Sequence, residues 1–218
     1  GNWKLCPCIR RKIGDDMFAL SPFAFPSISV PTGEGDMELI FKTTLTSDTA
    51  TISTGTLSAG FSSLLINLRA RSDMGFAHGS RVGVYFNGDL VSSNYQRIES
   101  LCRDDSSTVT RFNDNSALTV HVPTAAGDAN FFGAASVRIY NHELSTGFKS
   151  GLIQYGIHSF AAIGSLGFER FLVNTSFIWR NTAPITSVVL KSIPHSWDAQ
   201  NRIADLVTGS SVGVYGLK

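Results

Sequence analysis

Short runs of alternating apolar and polar residues, each cut off by Gly, Asn, Asp or Ser, recur along most of this chain, and no stretch sustains the i, i+3, i+4, i+7 spacing of a helix beyond two turns. That pattern leaves little besides an all-β fold. Glu38 to Leu45, Ala50 to Leu57 and Ser63 to Ala70 read as strands. In Arg81 to Phe86 the residues Val82, Val84 and Phe86 share a face, and the run stops at Asn87-Gly88. Both of those residues tolerate positive φ, so a hairpin is predicted with Tyr95 to Leu101 as its return strand. Ser116 to Val122, Ala134 to Tyr140, Phe168 to Arg180, Ile185 to Leu190 and Ser211 to Leu217 continue the series. Gly147 to Phe160 is less regular but contains the strand-like Leu152-Ile153-Gln154-Tyr155. Strands at this spacing argue for a single β-sandwich of jelly-roll-like form over residues 37–218.

Residues 1–36 are different. They hold Pro7, Pro22, Pro26 and Pro31, four of the seven prolines, together with the aromatics Trp3, Phe18, Phe23 and Phe25. Proline at that density breaks helix and central strand alike, yet the segment is too apolar for a solvated linker. It is expected to be an extended arm that lies along another surface, preferably a neighbouring subunit. The charged fraction of 16% is well below the roughly 25% of ordinary soluble domains. This fits either a surface polar through Ser, Thr and Asn or one covered by other subunits.

The formal net charge is +1, and the one dense basic run, Arg10-Arg11-Lys12, is followed at once by Asp15-Asp16. Nucleic acid is therefore not an expected partner. No apolar run approaches the roughly 20 residues of a membrane span, so no membrane partner is expected. Three cysteines, Cys6, Cys8 and Cys102, do not make a disulfide framework; free or buried thiols are the expectation, with an intermolecular disulfide in an assembly as the alternative. Cys6-Pro7-Cys8 lacks a second pair to complete a zinc site.

No catalytic constellation stands out. Gly164-Ser165-Leu166-Gly167 fails the spacing of a nucleophile elbow and reads as a glycine turn. The five histidines, His78, His121, His142, His158 and His195, show no i, i+4 pair. The cluster of Asp104, Asp105, Asn113, Asp114 and Asn115 invites a calcium hypothesis, but it lacks the fixed spacing of a calcium loop and reads as a solvated turn region. Glu38, Glu99, Glu143 and Glu169 suggest no glycosidase pair. No enzyme activity, metal or cofactor is expected. A sugar- or receptor-binding β-sandwich module is the alternative, with Tyr95, Asp104, Asp105 and Trp197 as its candidate ligand face.

Five stretches carry a resemblance: SLLINLRARSD (63–73), VGVYFNGDLVSSNYQRIESL (82–101), NFFGAASVRIYNHE (130–143), WRNTAPITSVVL (179–190) and GSSVGVYGLK (209–218). In this order they resemble a family of small tailed-bacteriophage structural proteins. The arm falls outside the resemblance, and the segment Ser192 to Leu206 is longer than the corresponding family loop. The resemblance implies a non-enzymatic virion component of jelly-roll-like fold: a capsid decoration or cement protein, a head fibre, or a tail part. The expected partners are other virion proteins and further copies of the chain, a trimer being one option.

Overall fold

A computed structural model describes residues 36–75, 79–103, 110–114, 117–125, 130–158, 170–194 and 203–218. The arm residues Trp3, Phe18, Phe23 and Phe25 lie outside these ranges, as do Asp104, Asp105 and Trp197. Twelve strands are described: β1 (Met37–Thr44), β2 (Thr51–Ser53), β3 (Ser63–Ala70), β4 (Ser80–Phe86), β5 (Tyr95–Arg103), β6 (Thr110–Asp114), β7 (Leu118–Val122), β8 (Gly133–Tyr140), β9 (Lys149–His158), β10 (Arg170–Trp179), β11 (Val188–Ile193) and β12 (Ser211–Leu217). Every pairing is antiparallel. One sheet has the order β1-β12-β3-β8-β9-β10-β5-β6, the other β2-β11-β4-β7. The chain is thus an all-β sandwich, with unequal sheets where a simple jelly roll has two of equal size.

Apolar alternation places the core. Leu64, Ile66 and Leu68 of β3, Val137 and Ile139 of β8, Ile153 of β9, Val173 and Phe177 of β10, and Val212 and Val214 of β12 are all buried on the inner face of the large sheet. Against them stand Val82, Val84 and Phe86 of β4 with Leu118 and Val120 of β7. Phe86 is the aromatic centre, its ring 5.6 Å from Trp179, 5.8 Å from Phe177 and 6.0 Å from Tyr95. Gly151 is dictated by its partner across the ladder. A Cβ there would sit 2.5 Å from the Phe177 ring and closer still to the Arg138 carbonyl.

The large sheet also reaches round the β7 edge of the small one. Thr119 and His121 point to the opposite side of β7 from Leu118 and Val120, yet Thr119 Oγ1 accepts a hydrogen bond from Arg97 of β5 at 2.5 Å. The His121 ring stacks on Tyr155 of β9, 5.6 Å between centroids and 8° from parallel. Both faces of β7 are therefore covered.

Two expectations need correction. Asn87 and Gly88 do take positive φ, 53° and 69°, and Asp89 N closes the turn on Phe86 O at 2.9 Å. The chain then leaves the sheet, however: β4 pairs with β7 and β11, while Tyr95 opens β5 in the other sheet. No β4–β5 hairpin forms, because both edges of β4 are occupied. A 3-10 turn at Ser92–Asn94 carries the chain across. The second correction is β6, a strand through Asn113 and Asp114 where a solvated acidic loop was expected, paired with Arg97 to Leu101. Elsewhere the shifts are local. Gly55 at φ 65° ends β2 early. Thr186 and Ser187 give their N–H groups to Asn87 Oδ1 (2.8 and 3.1 Å), so β11 starts only at Val188.

Candidate functional surface

Tyr95, expected on a ligand face, is wholly buried. Its hydroxyl accepts from Phe86 N (3.1 Å) and donates to Asp89 O (2.9 Å), tying the crossover to β4. Asp89 completes the knot: Oδ2 accepts from Trp179 Nε1 and Asn94 Nδ2, both at 2.8 Å, and Oδ1 from Val91 N at 3.0 Å. Burial works against its charge, but these three donors outweigh burial and hold the carboxyl below the ordinary carboxylate range. This cluster is structural, and it explains why the chain spends a Trp and a Tyr there.

The surface with room for a partner is the outer face of the large sheet. Antiparallel register aligns outward side chains into rows that cross the strands. One row runs Lys42, Gly213, Asn67, Ser136, Gln154, Asn174, Ser100 through β1, β12, β3, β8, β9, β10 and β5. At about 4.8 Å per strand it is about 29 Å long. Apart from its glycine, every member is polar. Gln154 Nε2 donates to Asn174 Oδ1 at 2.9 Å, which orients both amides. Over the β1–β9 half of this row lies an open groove of about 410 Å³, lined by Lys42, Asn67, Arg69, Ser136, Gln154 and Tyr215 among others. Tyr215 leans across Gly213, its Cε2 3.1 Å from where a Cβ would stand. Arg69 stacks on Phe132, 4.2 Å from guanidinium carbon to ring centroid, and its Nη1 donates to Gly209 O at 3.4 Å.

Toward the other edge the same face turns apolar. Ile98 of β5 is 54% exposed, Leu172 of β10 56%, Leu152 of β9 41% and Ile178 of β10 40%. Leu172 pairs with Cys102 of β5, which is disulfide-bonded, correcting the free-thiol expectation. Beneath this patch the interior is polar. Arg97 and Glu99 are buried in an ion pair at 3.4 Å, and burial, with Glu99 adding to it, pushes the Tyr155 phenol well up against the opposing Arg97 and Arg81.

A second buried polar group lies at the β8–β9 turn. Lys149 is fully buried and its Nζ donates to Gly147 O (2.8 Å) and Thr182 O (3.1 Å); burial lowers its pKa. His142 is also buried, its Nε2 3.6 Å from Glu143 Oε1. Burial lowers its pKa, Glu143 opposes that and Lys149 adds to it. Glu143 in turn accepts from Gly60 N and, at 3.0 Å, from Phe61 N, binding the loop before β3 to this corner. Among the described residues no group of three or more His, Cys, Asp or Glu converges as a metal site, and no helix is long and apolar enough to cross a membrane. Sequence reasoning missed the polar row entirely. Its signal, Asn67, Gln154 and Asn174 at the outward positions of their strands, appears only once strand order and register are known.

No protein-family model matches the chain, and no curated protein sequence matches it.

Proposed function

We propose that the protein is a non-enzymatic structural component of a bacteriophage virion, a capsid decoration, head-fibre or tail part that assembles as a homo-oligomer through its arm and the outer face of its large sheet. The observation that carries this is the apolar patch of Ile98, Leu152, Leu172 and Ile178 on β9, β10 and β5, toward one edge of a sheet face that a lone sandwich would leave wet. The N-terminal arm is the occupant that best fits it. The arm carries Trp3, Phe18, Phe23 and Phe25, and its Cys6 and Cys8 are the only cysteines besides Cys102, which is disulfide-bonded beside Leu172. The resemblance of residues 63–73, 82–101, 130–143, 179–190 and 209–218 to tailed-phage structural proteins supports the virion setting.

Immunogold electron microscopy with antibody against residues 37–218 on density-banded particles tests the reading. Regular label on heads or tails is expected, and deletion of residues 1–36 should leave a folded sandwich that no longer joins particles. Clean particles with all antigen in the soluble fraction would overturn it.

A further inference from the structure

The groove over β1, β12, β3, β8 and β9 adjoins the assembly patch on the same face and has a chemistry of its own. Reading the outward positions from β1 to β9 in sheet order, the cations are Lys42, Arg69 and Arg138, and among the described residues no Asp or Glu stands with them. In a chain of net charge +1 this is a segregation of sign onto one face. A ligand recognised here carries negative charge.

The row itself asks for a second property. Within the groove Asn67, Ser136 and Gln154 are amides and a hydroxyl, each able to donate and to accept. Set in line at strand spacing, they match an extended chain with a polar group at every step better than a compact ion. The floor is made low by Gly213 and Ala134, and Tyr215 leans over it to offer a ring face and a hydroxyl. Arg69 is held in plane by Phe132 and Gly209 O, which presets a fork suited to a carboxylate. Open grooves of this kind suit a polymer laid across them rather than an enclosed small molecule.

We infer that this groove binds an acidic polysaccharide, the carboxylates meeting Lys42 and Arg69 and the sugar hydroxyls meeting the amide row. Nothing in this inference requires the virion reading. A sheet that binds such a polymer does so whatever particle it belongs to.

Affinity electrophoresis of the full chain through gels containing polygalacturonate, hyaluronate, polysialic acid or neutral dextran tests it. Retardation by at least one acidic polymer and none by dextran is expected. Arg69→Ala should weaken that binding at least tenfold, and Gln154→Ala, at an exposed position, severalfold. Gly213→Val, which forces Tyr215 out of the groove, should abolish it; a melting curve separates this from misfolding. Three results would each overturn the inference: free migration in all acidic gels, retardation unchanged in Arg69→Ala and Gln154→Ala, or equal retention by single-stranded DNA, which would mean general polyanion attraction. Loss of polysaccharide binding leaves particle incorporation untouched, so the two readings fail separately.

Discussion

Strands β3 and β5 lie in the same sheet and face the same small partner sheet, yet between Arg97 and Glu99 the polarity of β5 is opposed to that of β3. β3 is conventional: Leu64, Ile66, Leu68 and Ala70 are buried, and Asn67 and Arg69 meet water. β5 turns Arg97 and Glu99 inward and Ile98 outward. Burying a charged pair costs several kcal/mol per ion before the attraction repays it, and an exposed Ile wastes apolar surface. Neither makes sense if solvent bathes the whole outer face. Inward charges near a sheet edge do discourage edge-to-edge pairing, and an apolar exterior suits a protein partner. The comparison teaches that this face is not uniform: its cations Lys42, Arg69 and Arg138 lie on β1, β3 and β8, and Ile98, Leu172 and Ile178 gather on β5 and β10.

The harshest way to break the inverted half is to remove one charge. Glu99→Ala removes the carboxylate 3.4 Å from the buried Arg97 guanidinium and should cost about 3 kcal/mol in denaturant unfolding. Replacing both, Arg97→Leu with Glu99→Leu, should recover most of that loss, since apolar substitution of a buried pair is often neutral or better. If the single variant unfolds like the wild type, the pair is not a structural element and the contrast with β3 loses its energetic content.

The crossover that launches β5 is the next lever. Asp89→Ala strands the Trp179 indole N–H in the core and removes three hydrogen bonds to a carboxylate, with an expected loss of about 2–3 kcal/mol. Its pH signature differs from that of the β8–β9 corner. The folded pKa of Asp89 is depressed, so its contribution is present above the ordinary value near 3.8 and is lost as pH falls through the folded value. His142 is also depressed, from 6.5, because burial disfavours its cation. Stability it lends above pH 6.5 therefore begins to drain as pH falls below 6.5, when the unfolded chain takes up a proton that the folded one resists. Denaturation midpoints measured from pH 8 to 3 should show two falls, the first reduced in His142→Asn and the second in Asp89→Asn. A profile flat from pH 7 to 5 in the wild type would remove His142 from the account.

Much of the conventional half was legible without coordinates. Ser63 to Ala70, Ala134 to Tyr140 and Ser211 to Leu217 read as strands and are strands, because local period and burial agree there. Alternation failed where tertiary demands overrode the local pattern. Tyr95 followed a strong turn dipeptide and looked like a hairpin residue on an open face; the occupied edges of β4 sent it to the other sheet and into the core. Asn113 and Asp114 carried loop chemistry into an edge strand. The polar row could not be read at all, since its members are distant in sequence and meet only through register.

The gentlest intervention sharpens the comparison most. Ile98→Ser and Leu172→Ser alter side chains already more than half exposed, so each should change unfolding free energy by no more than about 0.5 kcal/mol. Self-association and particle incorporation should nevertheless fall sharply, because a packed partner loses the apolar contact. The matched substitution on the other half, Asn67→Ser, should leave both stability and assembly as they were. Sedimentation velocity and melting curves on the three variants decide it. Were Asn67→Ser to disrupt assembly as much as Ile98→Ser, the face would be one continuous interface and the division between β3 and β5 would fail.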